Sequence, residues 1–250
     1  MSKKKLLTII IPTYNSGKKI QYCLRSINKQ TFKDFVIYIA DGGSTDHTLE
    51  IIKNNLRNFR IISKKDNSCE EGINKCLLKI KTKFFMIIGS DDFIDDEKYI
   101  DNLIITINKS NADIVFPYLG VINNNKKKII KQSSDFGYLS YKTIAPGLGW
   151  LGKKDIIRSN KFTTKLKVAT DYDFFCKLYK KNFIFLREKK SIYYFRIGGN
   201  SFKKAYTGFN EVRLIALKNG GALIKIYTHY FLSVIKFFVK FNILKILRVF

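Results

Sequence analysis

In the first half of the chain, short apolar runs alternate with segments of helical periodicity. The apolar runs are "LLTIIIP" (6–12), "FVIYIAD" (35–41), "RIIS" (60–63) and "KFFMIIG" (83–89). The segments between them place apolar residues every three or four positions, as Ile20, Leu24 and Ile27 do. Strands that are apolar on both faces and alternate with helices predict a parallel sheet covered on both sides, and therefore a doubly wound α/β half.

Polar clusters follow three of these predicted strands. They are "PTYN" after the first, "DGGSTD" after the second and "GSDD" after the fourth. In open α/β sheets, ligands bind in the crevice at the carboxyl ends of the strands. The three clusters are therefore expected to line one binding crevice.

The second half of the chain is less regular. Two strands flanking the turn-like "NNN" predict a hairpin, and the glycine-rich "PGLGWLG" precedes a helix predicted near "KKDIIRSN". The segment "DYDFFCKLYKK" predicts a further helix, which leads to two strands, "FIFLRE" and "SIYYFR", and then to the loop "IGGNS". No low-complexity linker separates the two halves.

The charge balance predicts an anionic partner. Lys and Arg number 46 against 20 Asp and Glu, which suits nucleic acid, a phosphorylated substrate or an acidic membrane, although part of the excess reflects a composition rich in Lys, Asn and Ile. The four cysteines form no CxxC pair, and with two histidines they offer no zinc spacing, so a reducing cytosolic environment is expected. The apolar run near the N-terminus, Leu6 to Ile11, is too short for a signal peptide and is interpreted as a strand.

The paired carboxylates Asp91 and Asp92 allow two interpretations. Taken alone, either could cap the following helix. At a strand end in a crevice, however, they could share a divalent cation with a substrate diphosphate, because Mg²⁺ and Mn²⁺ prefer carboxylate oxygen. The "DGGSTD" cluster could likewise be only a turn, in which Ser44 or Asp46 caps the following helix. It is not a dinucleotide fingerprint, because GxGxxG is absent.

The stretch "TIIIPTYNSGKKIQYCLRSINKQTFKDFVIYIADGGSTDHTLEIIKNN" resembles the opening of the family 2 glycosyltransferases, and the resemblance continues through "GSDD", "TDYDFF" and "YYFRIGGNS". It covers most of residues 5–202. Members of that family are inverting enzymes that use nucleotide-diphosphate sugars. The resemblance implies an α/β GT-A fold, a Rossmann-like mixed sheet flanked by helices, over residues 1–215. The form of "DGGSTD" and of "SKKDNSCEEGINKCL" is most similar to a bacterial branch that builds capsule, O-antigen or colanic-acid-type polysaccharides.

The resemblance also implies residue roles. Pro12, Thr13 and Tyr14 would contact the base and ribose of the donor, Asp41 would accept a hydrogen bond from the base, and Asp66 would border the same pocket. Asp91 would lie near the ribose and sugar, and Asp92 would coordinate Mn²⁺ or Mg²⁺. Arg196 precedes a loop that often covers the donor in this family, where it could grip the diphosphate, or it could be a solvated loop residue.

Asp171 matches the family's catalytic base. Inverting transfer needs a carboxylate that takes the proton of the acceptor hydroxyl as that oxygen attacks the anomeric carbon. The alternatives are that Asp171 is only a helix cap or that Asp173 is the base. Residues two positions apart on a helix face different ways, so one of the two should reach the crevice.

The chain departs from the family pattern at several positions. Thr170 and Gly89 stand where the family usually has acidic residues, Ser68 replaces a glycine, and Glu70 and Glu71 replace a Tyr-Asp pair, which affects the expected donor recognition. The processive QxxRW signature is absent, so transfer of a single sugar is predicted. Trp150 is interpreted either as a stacking platform for the acceptor sugar or as a core residue.

Residues 216–250 form the predicted C-terminal tail, which is apolar, aromatic and basic. On a helix, Lys225, His229, Lys236 and Lys240 fall within an arc of about 60°. Basic residues interrupt the apolar sequence too often for a spanning helix, so an amphipathic helix lying on an anionic membrane is predicted, with a terminal packed helix or a dimer contact as the alternatives.

The sequence therefore predicts a metal-dependent inverting glycosyltransferase, peripheral at the cytoplasmic face of the cell membrane. The expected donor is a nucleotide sugar, most simply a UDP-sugar, and the expected acceptor is lipid-linked or an oligosaccharide. Nucleic acid is not an expected partner. Two other functions are the alternatives: a nucleotidyltransferase of related fold, which would need a glycine-rich basic loop after the first strand, and a non-catalytic basic binding module.

Overall fold

The computed structural model describes residues 5–63, 65–123, 126–145, 147–196, 198 and 203–246, with the side chains of residue 123 and residues 240–246 excepted. The predicted loop "IGGNS" therefore lies outside the described residues except for Gly198. The same holds for two residues of the "NNN" turn and for the first residue of "PGLGWLG".

Nine strands occur in the described part of the chain and belong to one sheet. They are β1 (Leu7–Thr13), β2 (Phe35–Asp41), β3 (Phe59–Ser63), β4 (Phe84–Ile87), β5 (Phe93–Ile94), β6 (Ile114–Asn123), β7 (Lys126–Ile130), β8 (Leu151–Lys153) and β9 (Phe185–Arg196). Their order is β3-β2-β1-β4-β8-β6-β9-β5, with β7 paired to β6. The strands β3, β2, β1 and β4 are mutually parallel, whereas β8 is antiparallel to both β4 and β6.

The helices of the first part cover both faces of the parallel strands. They are α1 (Gly17–Asn28), α2 (Thr48–Asn55), α3 (Cys69–Leu77) and α4 (Tyr99–Lys109). Alternate residues of β1 point to opposite sides, so that Ile9 and Ile11 join the core formed with α1, α2 and α4, while Ile10 joins the core formed with α3. The predicted doubly wound α/β half is therefore confirmed, because apolar residues on both faces of each strand need a layer on either side.

The second part extends the sheet and adds α5 (Thr170–Lys180). The predicted hairpin is present, since β6 and β7 pair antiparallel from Leu119–Ile130 to Asn123–Lys126. Two predictions were wrong in detail. The segment near "KKDIIRSN" forms only a 3₁₀ turn, Lys154–Ile157, and the two strands predicted at "FIFLRE" and "SIYYFR" are one strand, β9.

The centre of strand β9 is irregular for an identifiable reason. Its polar centre begins with Glu188, whose carboxylate accepts the backbone N–H groups of Lys190, at 2.9 Å, and of Ser191. The neighbouring β6 pairs with β9 on both sides of a register shift between Phe116 and Tyr118. The polar residues that resemble a break in the sequence pattern therefore form an irregularity within a strand.

The C-terminal part is a helical hairpin. Helix α6 (Ala205–Lys218) is followed by Gly220, with φ +77°, and by α7 (Leu223–Ile246), which packs against α6. The predicted domain boundary after residue 215 falls inside α6. Among the described residues, no helix combines the length and the apolar character needed to cross a membrane.

Candidate active site

The three polar clusters predicted to share a crevice are joined by hydrogen bonds at one edge of the sheet. Strands β1 and β2 are paired so that Thr13 lies opposite Asp41. The backbone N–H of Asn15 donates to Ser44 Oγ at 2.9 Å, and the hydroxyls of Ser16 and Ser90 are 2.9 Å apart. The loops after β1, β2 and β4 thus meet, as expected for the carboxyl ends of parallel strands.

The end of β1 combines buried and exposed groups. Pro12 is buried, and Thr13 is 6% exposed with an Oγ1 that has no hydrogen-bond partner among the described residues. Tyr14 is 63% exposed and lies against Gly42. Buried hydroxyl groups normally form hydrogen bonds. The unpaired Thr13 hydroxyl therefore marks a position where a ligand could supply a hydrogen-bond partner.

Asp41 is fully buried, and its carboxylate is already occupied by protein groups. It accepts the hydroxyls of Ser44 and Ser63 at 2.6 Å each and the backbone N–H of Gly43 at 3.1 Å. Its observed role is to shape the "DGGS" loop. A hydrogen bond from a bound base, as the resemblance implies, would be added to these bonds, and that role stays a prediction.

Asp66 lies beside the first turn of α3. Its carboxylate pairs with Lys75, whose Nζ also lies 2.8 Å from Glu71. A Cβ on Gly72 would meet Asp66 Oδ2 at 2.7 Å, so the carboxylate fills the space that a side chain would take. Its bordering position next to the donor pocket stays a prediction.

Asp91 and Asp92 have opposite environments although they are adjacent. Asp92 is 1% exposed; its Oδ2 accepts the Tyr193 hydroxyl at 2.7 Å and its Oδ1 accepts the backbone N–H of Arg196 at 3.2 Å. Asp91 is only partly buried and has Oδ2 3.6 Å from Lys19 Nζ. Burial, and then the neighbouring charge of Asp91, raise the pKa of Asp92 to about 7. Asp91 is therefore the more accessible carboxylate of the pair.

Gly89, at the position where the family usually carries an additional acid, has a packing role. A Cβ at Gly89 would lie 2.5 Å from Asp92 Oδ2, so a larger residue would displace that carboxylate. The Gly89 N–H donates to the Tyr193 hydroxyl at 2.9 Å. Tyr193 therefore links the "GSDD" loop to β9, a contact that no pattern in the sequence signals.

Arg196 lies at the end of β9 next to this loop. Its Nε is 3.4 Å from the carbonyl of Asp91, and its guanidinium lies 5.6 Å from the ring centre of Tyr22 on α1. The side chain is therefore placed beside the acidic pair rather than remote from it. Its predicted grip on a diphosphate remains untested.

Asp171 lies in the first turn of α5 and faces the loop between the 3₁₀ turn Phe136–Ser140 and β8. Its carboxylate occupies the space where a Cβ of Gly147 would be, so a side chain at position 147 would displace the carboxylate. Burial is the main cause that raises the pKa of Asp171 to about 6, and the charge of Glu70 adds to it. Asp173, the alternative base, turns toward Lys177 on its own helix at 2.5 Å.

One short segment connects Asp171 with the acidic pair. Gly147 lies against the Asp171 carboxylate. The next residue, Leu148, contacts Gly89, because its Cδ1 lies 3.4 Å from where a Cβ on Gly89 would be. The N–H of Gly149 then donates to the carbonyl of Ile87, the last residue of β4, at 2.8 Å. The predicted base and the "GSDD" loop are therefore held on two sides of the same loop.

Trp150 belongs to the core. It is fully buried, its Nε1 donates to the Gly147 carbonyl at 2.9 Å, and its ring packs on Phe85 and Phe174. Of the two interpretations of this residue, the structure favours the core residue. It supports the site indirectly, because its hydrogen bond fixes the backbone beside Asp171.

Two positions that depart from the family pattern contact each other. The hydroxyl of Thr170 donates to Glu70 Oε1 at 3.0 Å across 100 positions of sequence. In the sequence the two departures look unrelated. Their contact exists because α3 and α5 pack on the same face of the sheet.

Within the described residues, no group of three or more His, Cys, Asp or Glu is arranged to hold a metal ion. A cation at this site would therefore depend on one or two carboxylates together with oxygen atoms of a bound diphosphate, which is the usual arrangement for Mg²⁺.

Comparison with known proteins gives consistent matches. A family model described as Glycosyl transferase family 2 matches residues 8–185. Poly(ribitol-phosphate) beta-N-acetylglucosaminyltransferase TarS of Staphylococcus aureus is 29% identical over 229 residues, covering 84% of this chain and 40% of TarS. The Escherichia coli UDP-Glc:alpha-D-GlcNAc-diphosphoundecaprenol beta-1,3-glucosyltransferase WfaP is 39% identical over 92 residues, covering 36% of each protein. The chain thus spans about two fifths of the length of these curated relatives.

Solved structures share the architecture. S. aureus TarS 1–349 in complex with UDP-GlcNAc superposes with a TM-score of 0.67 at 22% identity, covering 84% of this chain and 66% of that one. The mannosyltransferase PcManGT from Pyrobaculum calidifontis, in complex with GDP-Man and Mn²⁺, gives a TM-score of 0.65 at 15% identity, covering 84% and 64%. At these identities the likeness concerns the fold alone.

Proposed function

Since the chain belongs to glycosyl transferase family 2, we propose that it transfers one sugar, with inversion, from a nucleotide-diphosphate sugar to an acceptor hydroxyl in bacterial surface polysaccharide synthesis. The α/β GT-A fold expected from the sequence is confirmed by the structural likeness to TarS. The observation that carries the proposal is the meeting of the three strand-end clusters, with Asp171 held beside the same loop as Asp92.

The donor is proposed to bind over the ends of β1 and β2. The exposed Tyr14 ring offers a surface for a base, and the unpaired Thr13 hydroxyl offers a hydrogen bond. A UDP-sugar is the proposed donor, because WfaP is named for UDP-Glc and TarS was crystallised with UDP-GlcNAc. Asp41 and Asp66 would shape the walls of this pocket.

The acidic pair fits a divalent cation, Mn²⁺ or Mg²⁺, when the two carboxylates take different parts. Asp92 is the ligand expected from the sequence, but its oxygens are engaged by Tyr193 and the Arg196 backbone. Asp91 has an accessible carboxylate, balanced by Lys19. We therefore assign direct contact with the cation to Asp91 and support of the loop to Asp92, which joins the coordination if Tyr193 releases it. A cation there would neutralise charge that develops on the departing diphosphate.

Asp171 is the proposed base. Its carboxylate would take the proton of the acceptor hydroxyl while that oxygen forms a bond to the anomeric carbon and the bond from that carbon to the diphosphate breaks. A pKa of about 6 keeps Asp171 mostly ionised at neutral pH, yet basic enough to accept a proton in the transition state. Arg196, whose Nε lies 3.4 Å from the Asp91 carbonyl, would balance the charge of the diphosphate.

The acceptor is proposed to be lipid-linked, at the inner face of the cell membrane. Helix α7 divides into three sectors at 100° per residue. The inward sector holds Ile226, Tyr230, Ser233 and Phe237. It is bordered by the exposed Lys225 and Lys236 and by His229, whose pKa is lowered by burial. The remaining arc of about 180° holds exposed apolar residues. They are Leu223, Ile224, Tyr227, Phe231, Leu232, Ile235, Phe238 and Val239.

This arrangement fits a helix that lies in an anionic membrane surface. Residues 223–246 contain no acidic residue. Apolar side chains would enter the headgroup region, and each lysine near the surface would add about 1 kcal/mol of attraction. An enzyme attached to the membrane through α7 would hold its active site near lipid-linked acceptors, the class of acceptor in the name of WfaP.

Thermal unfolding with a panel of nucleotides tests the proposed activity. UDP, GDP and dTDP would each be added with Mn²⁺, with Mg²⁺ or with a chelator, and the best binder would then be offered as its sugar derivatives in a transfer assay. A ligand that binds only the folded state raises the melting temperature by mass action. We expect UDP with Mn²⁺ to give the largest increase; no response to any nucleotide would favour the non-catalytic binding module.

A further inference from the structure

The start of helix α5, which carries Asp171, is held by two carboxylates from other helices. Glu211 of α6 accepts the backbone N–H groups of Lys167, Val168 and Ala169 at 2.8–2.9 Å. Ala169, at the N-cap, provides no side-chain hydrogen bond of its own. The first helical residue is instead held by Glu70, which accepts the hydroxyl of Thr170 at 3.0 Å.

We propose that Glu70 is a positioning residue of the transfer reaction, which orients Asp171 through Thr170 and places a second negative charge beside it. The inference rests on the proposed function of Asp171 as the base. Thr170 is buried, and a hydrogen bond from a buried hydroxyl to a carboxylate contributes more than one between neutral groups. The bond therefore fixes the residue immediately before Asp171.

The negative charge of Glu70 is stabilised by its position at the start of a helix. It lies in the first turn of α3, where the helix dipole favours a negative charge, and from there its carboxylate faces α5. Its charge adds to burial in raising the pKa of Asp171. A more basic Asp171 accepts the acceptor proton more readily, at the cost of being protonated at a higher pH.

The other groups around Asp171 do not supply this charge. On α5 itself, Asp173 is paired with Lys177, and Cys176 is buried with its thiol pKa raised by burial. The loop opposite presents the backbone of Gly147. Glu211 of α6 also lies near the start of α5, where its carboxylate is bonded to the backbone N–H groups of residues 167–169. The charge that adds to burial in raising the pKa of Asp171 is that of Glu70 on α3.

The test separates charge from hydrogen bonding. Glu70→Gln keeps a group that accepts the Thr170 hydroxyl but removes the charge. Thr170→Val removes the hydroxyl at nearly constant volume, and Thr170→Ser restores it. Glu50→Gln, at an exposed position on α2, is the matched control for loss of a glutamate charge. Melting temperatures verify that each variant is folded.

We expect Glu70→Gln to move the acidic limb of the kcat profile down by about half a pH unit, with the donor KM unchanged. Thr170→Val should lower kcat about tenfold, and Thr170→Ser should recover most of it, as for other groups that orient a reacting side chain. A pH profile of kcat for Glu70→Gln that superimposes on the wild-type profile would overturn the proposal. A raised acceptor KM with an unchanged acidic limb would also overturn it, because Glu70 would then bind the substrate.

A measurement without turnover keeps this inference distinct from the proposed activity. The carboxyl ¹³C resonance of Asp171, identified by its loss in Asp171→Asn, would be titrated in the wild type and in Glu70→Gln. A lower pKa in the variant supports the coupling even if no sugar donor is found. Equal pKa values would refute the coupling even in an active transferase.

Discussion

The hydroxyl of Tyr193 lies 2.7 Å from Oδ2 of Asp92 and 2.9 Å from the backbone nitrogen of Gly89. It donates to the carboxylate and accepts from the N–H, so one buried side chain from β9 holds both ends of the turn that presents Asp91. The conformation of the acidic loop thus depends on β9, the strand that pairs with β5 directly after the loop.

Tyr193→Phe is expected to lower the free energy of unfolding by about 1–3 kcal/mol, because it removes the hydrogen-bond partner of Oδ2 of the buried Asp92 and of the Gly89 N–H. Chemical denaturation would measure the change. Tyr194→Phe, at the adjacent position where the ring stacks on Phe93, is the matched control and should change stability less. Equal losses of unfolding free energy in the two variants would contradict the role of the Tyr193 hydroxyl in holding the acidic loop.

Asp91→Asn and Asp92→Asn are expected to separate metal contact from loop support. Asp91→Asn should lower kcat by about 100-fold with little change in melting temperature, because it removes an accessible charge at the diphosphate site. Asp92→Asn should lower activity by about 10- to 100-fold and also raise the Mn²⁺ concentration needed for half-maximal activity. If Asp91→Asn keeps full activity and Asp92→Asn does not, the assignment of the metal to Asp92, as expected from the sequence, is correct.

Asp171→Asn is expected to reduce kcat by about 10²- to 10⁴-fold while stabilising the fold at neutral pH. The folded pKa, about 6, lies above the ordinary value of 3.8. The folded state therefore holds its proton more tightly, and the stability this gives at pH below 4 is lost as the pH rises through 6. Removing this partly buried charge should recover about 1–2 kcal/mol at pH 7. Unchanged kcat in this variant would exclude Asp171 as the base.

The pH dependence of the wild-type enzyme follows from the same carboxyl. Transfer requires ionised Asp171, so kcat should fall tenfold for each pH unit below about 6, the pKa of that group. The profile would be measured at saturating donor and Mn²⁺. An acidic limb near pH 4 would mean that the carboxyl group of the base has an ordinary pKa.

Ile235→Ser combined with Phe238→Ser is expected to release the protein from vesicles that contain anionic lipid, because both side chains belong to the exposed apolar face of α7. Lys236→Glu should weaken binding more at low salt than at high salt. Lys128→Glu, at an exposed lysine on β7, is the control with the same change in net charge. Vesicle sedimentation of the full chain measures all four proteins, and binding that survives in the serine variant would refute the membrane assignment.

The parallel half of the sheet and the crevice at its edge could be predicted from local sequence patterns. Strands β1 to β4 follow from apolar runs, and in parallel strands the side chains that come next must lie at one edge, so periodicity alone predicts that "PTYN", "DGGSTD" and "GSDD" lie together. The basic and apolar faces of α7 also follow from helical periodicity.

The environment of each carboxylate depends on contacts between elements that are distant in the sequence. The resemblance to a family assigned different roles to Asp91 and Asp92, but the local sequence does not predict their burial: Asp92 is buried in contact with Tyr193 of β9, whereas Asp91 stays accessible beside Lys19. The pairing of Glu70 with Thr170 depends on two helices separated by 100 positions. Local patterns carry the periodicity of an element, whereas burial and charge coupling arise from which elements pack together, and these contacts set the chemistry of the site.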